Sequence, residues 1–211
     1  MVNIDTVNPI IGLPGSFETI QFYQTRDTLI DTEEYSKFIY AVENAFRRSR
    51  FYKDYKCSIM NLGLDFDAEM RGINGEMTDI ELHHLMPTLK DAAIMITEHI
   101  LNTRGRVCTF EVIKALEDAH RNNMLSVVML TATMHQSFHN DPNAFLSLSQ
   151  CYGDPFKFLQ EYKDGLTLDI AFKWLLQLKM EDQFGQKTNW LNIPKQREIL
   201  LDWSNSGEIH Y

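Results

Sequence analysis

Cysteine is scarce in this sequence, and the cysteines present lack the spacing of a structural site. The 211 residues contain three cysteines, an odd number with no C-x-x-C pair. Cys57, Cys108 and Cys151 lie far apart along the chain. The pattern excludes a disulfide scaffold and a cysteine-based structural zinc site. We interpret the three residues as free thiols of a reducing compartment.

Long hydrophobic runs are also missing. Apolar stretches such as Ser126-Val-Val-Met-Leu130 are far shorter than the roughly 20 residues that a helix needs to cross a bilayer. The first residues, Met-Val-Asn-Ile-Asp-Thr, show no basic region followed by an apolar one, as a secretory signal would. The sequence therefore predicts an intracellular protein with no membrane partner.

Positive charge is in deficit. The chain has 20 Lys and Arg against 29 Asp and Glu, which gives a formal net charge of −9. A protein that coats nucleic acid must neutralise phosphates with cations, so this balance argues against that class and leaves only a local basic surface. The length, the hydrophobic fraction of 44% and the charged fraction of 23% are typical of one globular unit.

Hydrophobic periodicity and capping residues predict an α+β fold with many helices. The first thirty residues are predicted to form an irregular arm. The segment Thr133-Met-His-Gln136 is interpreted as a capping box that begins a helix after a strand. Predicted helices cover about 32–50, 88–100, 109–121, 154–163, 166–180 and 194–203, and short strands cover 57–62, 78–84, 124–130 and 145–149.

Four of the seven histidines fall into two pairs. His83 and His84 are adjacent on a predicted strand, so their rings point to opposite faces. His135 and His139 lie four apart on a predicted helix and share a face, as a metal chelate requires. Each pair also has a plain structural interpretation, as a strand end and as a polar helix face. Together they are able to enclose a hydrolytic site with one metal and one base.

The surroundings of both pairs resemble a known family. Glu81-Leu-His-His-Leu-Met-Pro87 resembles the first motif of the HNH (His-Me finger) nucleases, an extended segment that ends in two histidines. The segment from Asn123 to His139 is similar to the second half, an asparagine and a β-rich run before a helix with H-x-x-x-H. Thr88-Leu-Lys-Asp91 and Leu130-Thr-x-Thr-x-His-x-x-x-His-Asn140 are similar to a phage-encoded subgroup. The resemblance covers about residues 56–153.

This resemblance implies a ββα-metal core embedded in a mostly helical single domain. It assigns His84 as the general base that activates water for attack on a phosphodiester. It assigns His83 and His139 as ligands of a divalent metal, either Mg²⁺, Mn²⁺ or Zn²⁺. His135 becomes a third ligand or a phosphate contact, and Asn123 the residue that orients the loop carrying the base.

The roles of Glu81 and Asn123 depend on their positions relative to the histidines. Glu81 shares a strand face with His83 by alternation, so it is interpreted either as an acceptor that orients that ring or as a solvated carboxylate. Common HNH proteins often place the asparagine nine residues before the first helical histidine, where this chain has Ser126. Asn123 lies twelve residues before His135. The zinc knuckles of many HNH relatives are missing.

A basic and aromatic segment is the candidate DNA contact. Cations alternate with aromatic rings there, a composition suited to phosphate binding and base stacking. The alternative is a solvated helix end, where cations interact favourably with the helix dipole. The candidate nucleic-acid-binding residues are Arg47, Arg48, Arg50, Lys53 and Lys56.

The chain is thus predicted to comprise an N-terminal arm and helix (1–55), an HNH-like core (56–153) and a C-terminal helical extension packed on the core (154–211). The leading functional hypothesis is metal-dependent DNA nicking or cleavage, abolished by His84→Ala, in the cytoplasm of an infected bacterial cell. The alternative is a catalytically silent HNH-like phage protein that binds a host or virion protein. A third hypothesis is a zinc site that only stabilises the fold.

Overall fold

A computed structural model describes residues 23–29, 32–60, 80–140 and 145–184. Helices dominate the described part, and two small antiparallel sheets accompany them, so the α+β prediction is confirmed. The elements in chain order are β1 (Gln24–Thr25), α1 (Thr32–Arg48), α2 (Arg50–Met60), β2 (Ile80–His84), α3 (Leu89–Arg104), β3 (Arg106–Val107), α4 (Thr109–Arg121), β4 (Val127–Thr131), α5 (Ala132–Asn140), α6 (Pro155–Glu161) and α7 (Leu168–Phe184).

Helix α1 begins where the sequence predicted. Glu33 and Glu34 lie in its first turn, while Arg47 and Arg48 lie in its last, so both ends complement the helix dipole. One face is buried and packs mainly on α3 and α4. The residues of that face are Phe38, Ile39, Val42 and Phe46.

The strand predicted for 57–62 is wrong as far as Met60, because a second helix, α2, occupies that part of the chain. Phe51, Tyr52 and Tyr55 pack against the main core, and Ile59 is buried in it. Their spacing follows a helical period, so tertiary packing of this face outweighs the strand preference of a few residues. Residues 61 and 62 lie outside the described part.

The helices α3 and α4 agree closely with the prediction. Thr88 is the N-cap of α3 and accepts a hydrogen bond from the Asp91 N–H. Gly105 ends α3 in the left-handed conformation, with φ of 70°. At the start of α4 the Glu111 carboxylate accepts the Cys108 N–H at 3.1 Å, which satisfies a donor that the helix leaves free.

The strands β2 and β4 pair antiparallel along five residues each, with Glu81 opposite Leu130 and His84 opposite Val127. The predicted cap at Thr133 is wrong, because α5 follows β4 with no loop. Thr131, the last residue of β4, accepts the Met134 N–H at 3.2 Å through its hydroxyl. The chain therefore turns from strand to helix two residues earlier than the capping box indicated.

The strand predicted for 145–149 is also wrong. Residues 148–150 form a single 3₁₀ turn capped by Ser147. The buried carboxylate of Glu181 on α7 accepts the Leu148 N–H at 2.6 Å and the Ser147 hydroxyl at 2.8 Å. The Leu148 N–H, which a strand would direct to a neighbouring strand, is therefore already bonded to Glu181, and the bond from the Ser147 hydroxyl also favours the turn.

One large hydrophobic core joins the helices. It includes Val42 of α1, Ile96 of α3, Leu116 of α4 and Trp174 of α7, all of them fully or almost fully buried. No helix in the described ranges has both the length and the hydrophobicity for a membrane span. The helices predicted for 154–163 and 166–180 correspond to α6 and α7. The helix predicted for 194–203 lies outside the described residues.

Candidate functional site

The two-stranded ribbon of β2 and β4 divides the candidate site into two sides. Leu82 and the strand partner Met129 face the main core. Val128 and Leu130 belong to a separate small cluster with Leu146 on the other side. His84 lies on the core side with Leu82, whereas His83 lies on the other side, because successive strand residues alternate. The side chains of the two adjacent histidines therefore lie in different environments.

On the core side, His84 forms a buried pair with His120 of α4. The Nε2 atoms of the two rings are 2.9 Å apart. His84 is 7% exposed and His120 is fully buried. The Nδ1 of His120 lies 2.6 Å from the carbonyl oxygen of Leu116, one helical turn earlier. Both ring nitrogens of His120 therefore have a partner.

These contacts fix the tautomers of both rings. A carbonyl oxygen only accepts, so Nδ1 of His120 carries the proton and its Nε2 is the acceptor. The Nε2–H of His84 must then donate to His120. Burial lowers the pKa of His120 to about 4, and burial with the nearby His120 lowers that of His84 well below its usual value. Both rings are neutral at pH 7.

This geometry bears directly on the role predicted for His84. A general base needs a free ring nitrogen that reaches a substrate water. The Nε2 of His84 already donates to His120, which leaves Nδ1 as its unprotonated nitrogen, and the side chain is only 7% exposed. In this arrangement His84 is one member of a neutral, buried histidine pair.

Aromatic side chains of α1 and α2 surround the buried pair. Phe46 and Tyr55 lie 4.8 Å and 4.9 Å from the His120 ring, measured between centroids. Tyr52 stacks on His84 at 6.4 Å. The sequence offered a signal for His120, since it follows Leu116 by one helical turn on the apolar face of α4. Nothing in the sequence indicated that His84 would be its partner.

On the other side of the ribbon, three polar side chains meet beside α5. The Nδ1 of His135 is hydrogen-bonded to Oε2 of Glu81. The rings of His83 and His135 are in edge-to-face contact with centroids 4.9 Å apart. We call Glu81, His83 and His135 the ribbon cluster. Glu81 contacts His135 here, a partner that neither sequence interpretation of Glu81, as an acceptor for His83 or as a solvated carboxylate, had named.

A metal centre at the ribbon cluster would have to use its two imidazoles and its one carboxylate. Among the side chains that the structure describes, no group of three or more His, Cys, Asp or Glu residues has the arrangement of a metal site. The cluster supplies two imidazoles, and its carboxylate already accepts from one of them. The side chain of His139, the remaining predicted ligand, lies outside the described part. The described residues thus form no complete ligand set.

Asn123 lies in the exposed turn that links α4 to β4. Its φ is 51°, in the left-handed region that asparagine tolerates better than most residues. Its backbone N–H donates to the His120 carbonyl, and its carbonyl accepts the Asp154 N–H at 2.8 Å. The backbone of Asn123 thereby links the end of α4 to the start of α6.

The predicted DNA-contact residues lie at the junction of α1 and α2. Arg47 forms an ion pair with Glu43, and Arg50 forms one with Asp54. The other three are Arg48 and Lys53, which are exposed, and Lys56, which is half-buried. Two of the aromatic rings between them, Phe51 and Tyr55, are half-buried and contact the ring of His120. The exposed cations Arg48 and Lys53 remain candidate phosphate contacts.

Comparison with known proteins places the chain in a family. No curated protein matches the sequence. No solved structure matches it either. A family described as "Bacteriophage G278-like virion protein" matches residues 15–197, which is most of the chain. The chain therefore belongs to the bacteriophage G278-like virion protein family.

Proposed function

We propose that this protein is a component of a phage particle and acts by binding another phage protein, without catalysis. The observation that carries this proposal is the family match over residues 15–197, to virion proteins. The geometry of the histidines supports it, since His84 is locked in the core with His120. The net charge of −9 suits protein contact better than approach to a polyanion.

The binding proposal is tested by genetic complementation. A phage with an amber codon in this gene is complemented with the wild-type protein or with the variant His83→Ala/His135→Ala. The variant lacks both imidazoles of the ribbon cluster. We expect both forms to restore infectious particles equally, and mass spectrometry of purified particles to detect the chain. Particles that lack the chain, or a complementation defect confined to the histidine variant, would contradict the proposal.

A second candidate is HNH-type DNA hydrolysis at the ribbon cluster. It is favoured by the antiparallel pairing of β2 with β4, by α5 directly after β4, and by the contact of His83 with His135. The ββα-metal core remains part of this proposal.

The hydrolysis candidate predicts nicking of supercoiled plasmid with Mg²⁺ or Mn²⁺. His135→Ala is expected to reduce the rate at least about tenfold, since general acid–base or metal contacts contribute that much or more. His99→Ala is a matched control, because the Nδ1 of His99 pairs with Asp164 at 2.7 Å on another surface. No nicking above background, or equal rates for both variants, would exclude hydrolysis at this cluster.

A further inference from the structure

The helix α7 is apolar on two opposite faces. One face is buried in the main core and includes Ile170, Trp174 and Leu178. A helix of a globular protein usually has one apolar stripe toward the core and a polar face toward solvent. The opposite face of α7 departs from this pattern, since it presents large apolar side chains to solvent. We call it the α7 stripe, and its members are Leu168, Phe172, Leu175 and Leu176.

The members of the α7 stripe form one continuous surface. Positions 168, 172, 175 and 176 are spaced by four, three and one, which places them on one side of a helix. Phe172 at its centre is 66% exposed, and Leu168 and Leu176 are about half exposed. Together they leave roughly 300 Å² of apolar area in contact with water, which is comparable with the largest apolar patch of a typical monomer, a patch that is often functional.

We propose that the α7 stripe binds a second copy of this chain. The two α7 helices pack antiparallel about a two-fold axis that crosses them at the level of residue 174 along the helix. In this arrangement Phe172 of each copy lies opposite Leu176 of the other. A two-fold contact uses the same patch on both copies, so the patch must complement itself. Phe172 and Leu176 meet this requirement as a pair, Leu168 lies opposite the apolar Met180, and Leu175 lies opposite Lys173.

The charges that border the stripe complement themselves in the same register. The axis beside position 174 places Asp169 of one copy opposite Lys179 of the other, and this pair occurs twice. Lys179 is exposed and forms no ion pair with any residue in the described ranges. Asp169 is exposed and contacts Lys173 of its own helix at 3.0 Å. Opposite charges at matched positions favour this register over a shifted one.

The contact is expected to be weak for an isolated pair. The two stripes together bury roughly 600 Å² of apolar area, about half of what small stable interfaces bury. We therefore expect a dissociation constant between about 10 µM and about 1 mM. The proposal rests on the proposed function for its role in the phage, because subunits held close together in a particle form weak contacts that dilute protein does not.

The test measures self-association of the full chain by sedimentation equilibrium from about 1 µM to about 1 mM. We expect a monomer–dimer equilibrium that Phe172→Glu weakens at least about tenfold by placing a charge at the centre of the apolar contact. Tyr40→Glu is the matched control, since Tyr40 is 68% exposed on α1. It should leave the equilibrium unchanged.

A charge exchange tests the register. Asp169→Lys and Lys179→Asp are each expected to weaken the dimer, and the double variant is expected to restore it. A monomer at every concentration, or a dimer indifferent to Phe172→Glu, would overturn the proposal. If the monomer also loses thermal stability on Phe172→Glu, the stripe is instead covered by another part of the same chain. These results leave incorporation into particles, which is measured separately, as an independent question.

Discussion

Lowering the pH from 7 to 4 is expected to reduce the free energy of unfolding by about 3 kcal/mol through His120 alone, with a further loss through His84. Both rings are buried and neutral in the folded protein. Burial lowers the pKa of His120 to about 4 from its ordinary value of 6.5, and that of His84 well below 6.5. The effect follows from the protons that the unfolded chain binds and the folded chain does not.

The direction of this stability change and the pH range in which it occurs follow from these pKa values. Above pH 6.5 both states are neutral at these residues, so the pair adds no pH dependence there. Below pH 6.5 the unfolded chain takes up protons, and stability falls by about 1.4 kcal/mol per pH unit for each histidine. For His120 the loss continues until the pH reaches about 4. A second proton between the two Nε2 atoms would also break their 2.9 Å hydrogen bond.

Urea unfolding followed by circular dichroism between pH 7.5 and pH 4 measures this effect. The informative comparison is with the double variant His84→Leu/His120→Leu. It removes both imidazoles together, so neither histidine remains as a buried polar group without its hydrogen-bond partner. Its stability should fall less steeply than that of the wild type below pH 6.5. His120→Leu alone leaves the buried Nε2–H of His84 without its acceptor, at a cost of about 2 kcal/mol at pH 7. Parallel pH profiles for the wild type and the double variant would contradict the assignment.

Local sequence signals predicted most of the helices because their determinants are local. Thr88 before α3, the acidic first turn of α1 and the apolar period of α4 act within one or two turns. The errors at 57–60 and at 145–149 have a different origin. There, packing of α2 on the core and the Glu181 carboxylate decide the structure, and both come from distant parts of the chain.

The candidate site was predictable only in part for the same reason. Alternation along a strand predicts that His83 and His84 point to opposite faces, and the ribbon register agrees. The partner of His84 is 36 residues away on another helix, and no spacing rule connects them. The partner of Glu81 depends on how α5 folds back onto the ribbon, since His135 follows it by 54 residues. Such contacts are properties of the tertiary structure.

Gly165→Ala is expected to destabilise the protein by about 3 kcal/mol, because overpacking against backbone is costly. An ideal Cβ at this position would lie 2.0 Å from the carbonyl oxygen of Met95 and 3.0 Å from the backbone nitrogen of His99. Both atoms belong to α3, so no side-chain rotation relieves the contact. The turn at 163–165 must move away from the helix or bend it.

Two hydrogen bonds oppose that movement. The Asn102 side chain donates to the Asp164 carbonyl at 2.7 Å, and His99 pairs with the Asp164 carboxylate at the same distance. Gly105→Ala is the matched control, since φ there is 70° and a Cβ would meet nothing within 4 Å. It therefore isolates the left-handed penalty of about 1 kcal/mol. If urea unfolding gave equal losses for both variants, the turn would be free to move away from α3, and the contact at Gly165 would not limit stability.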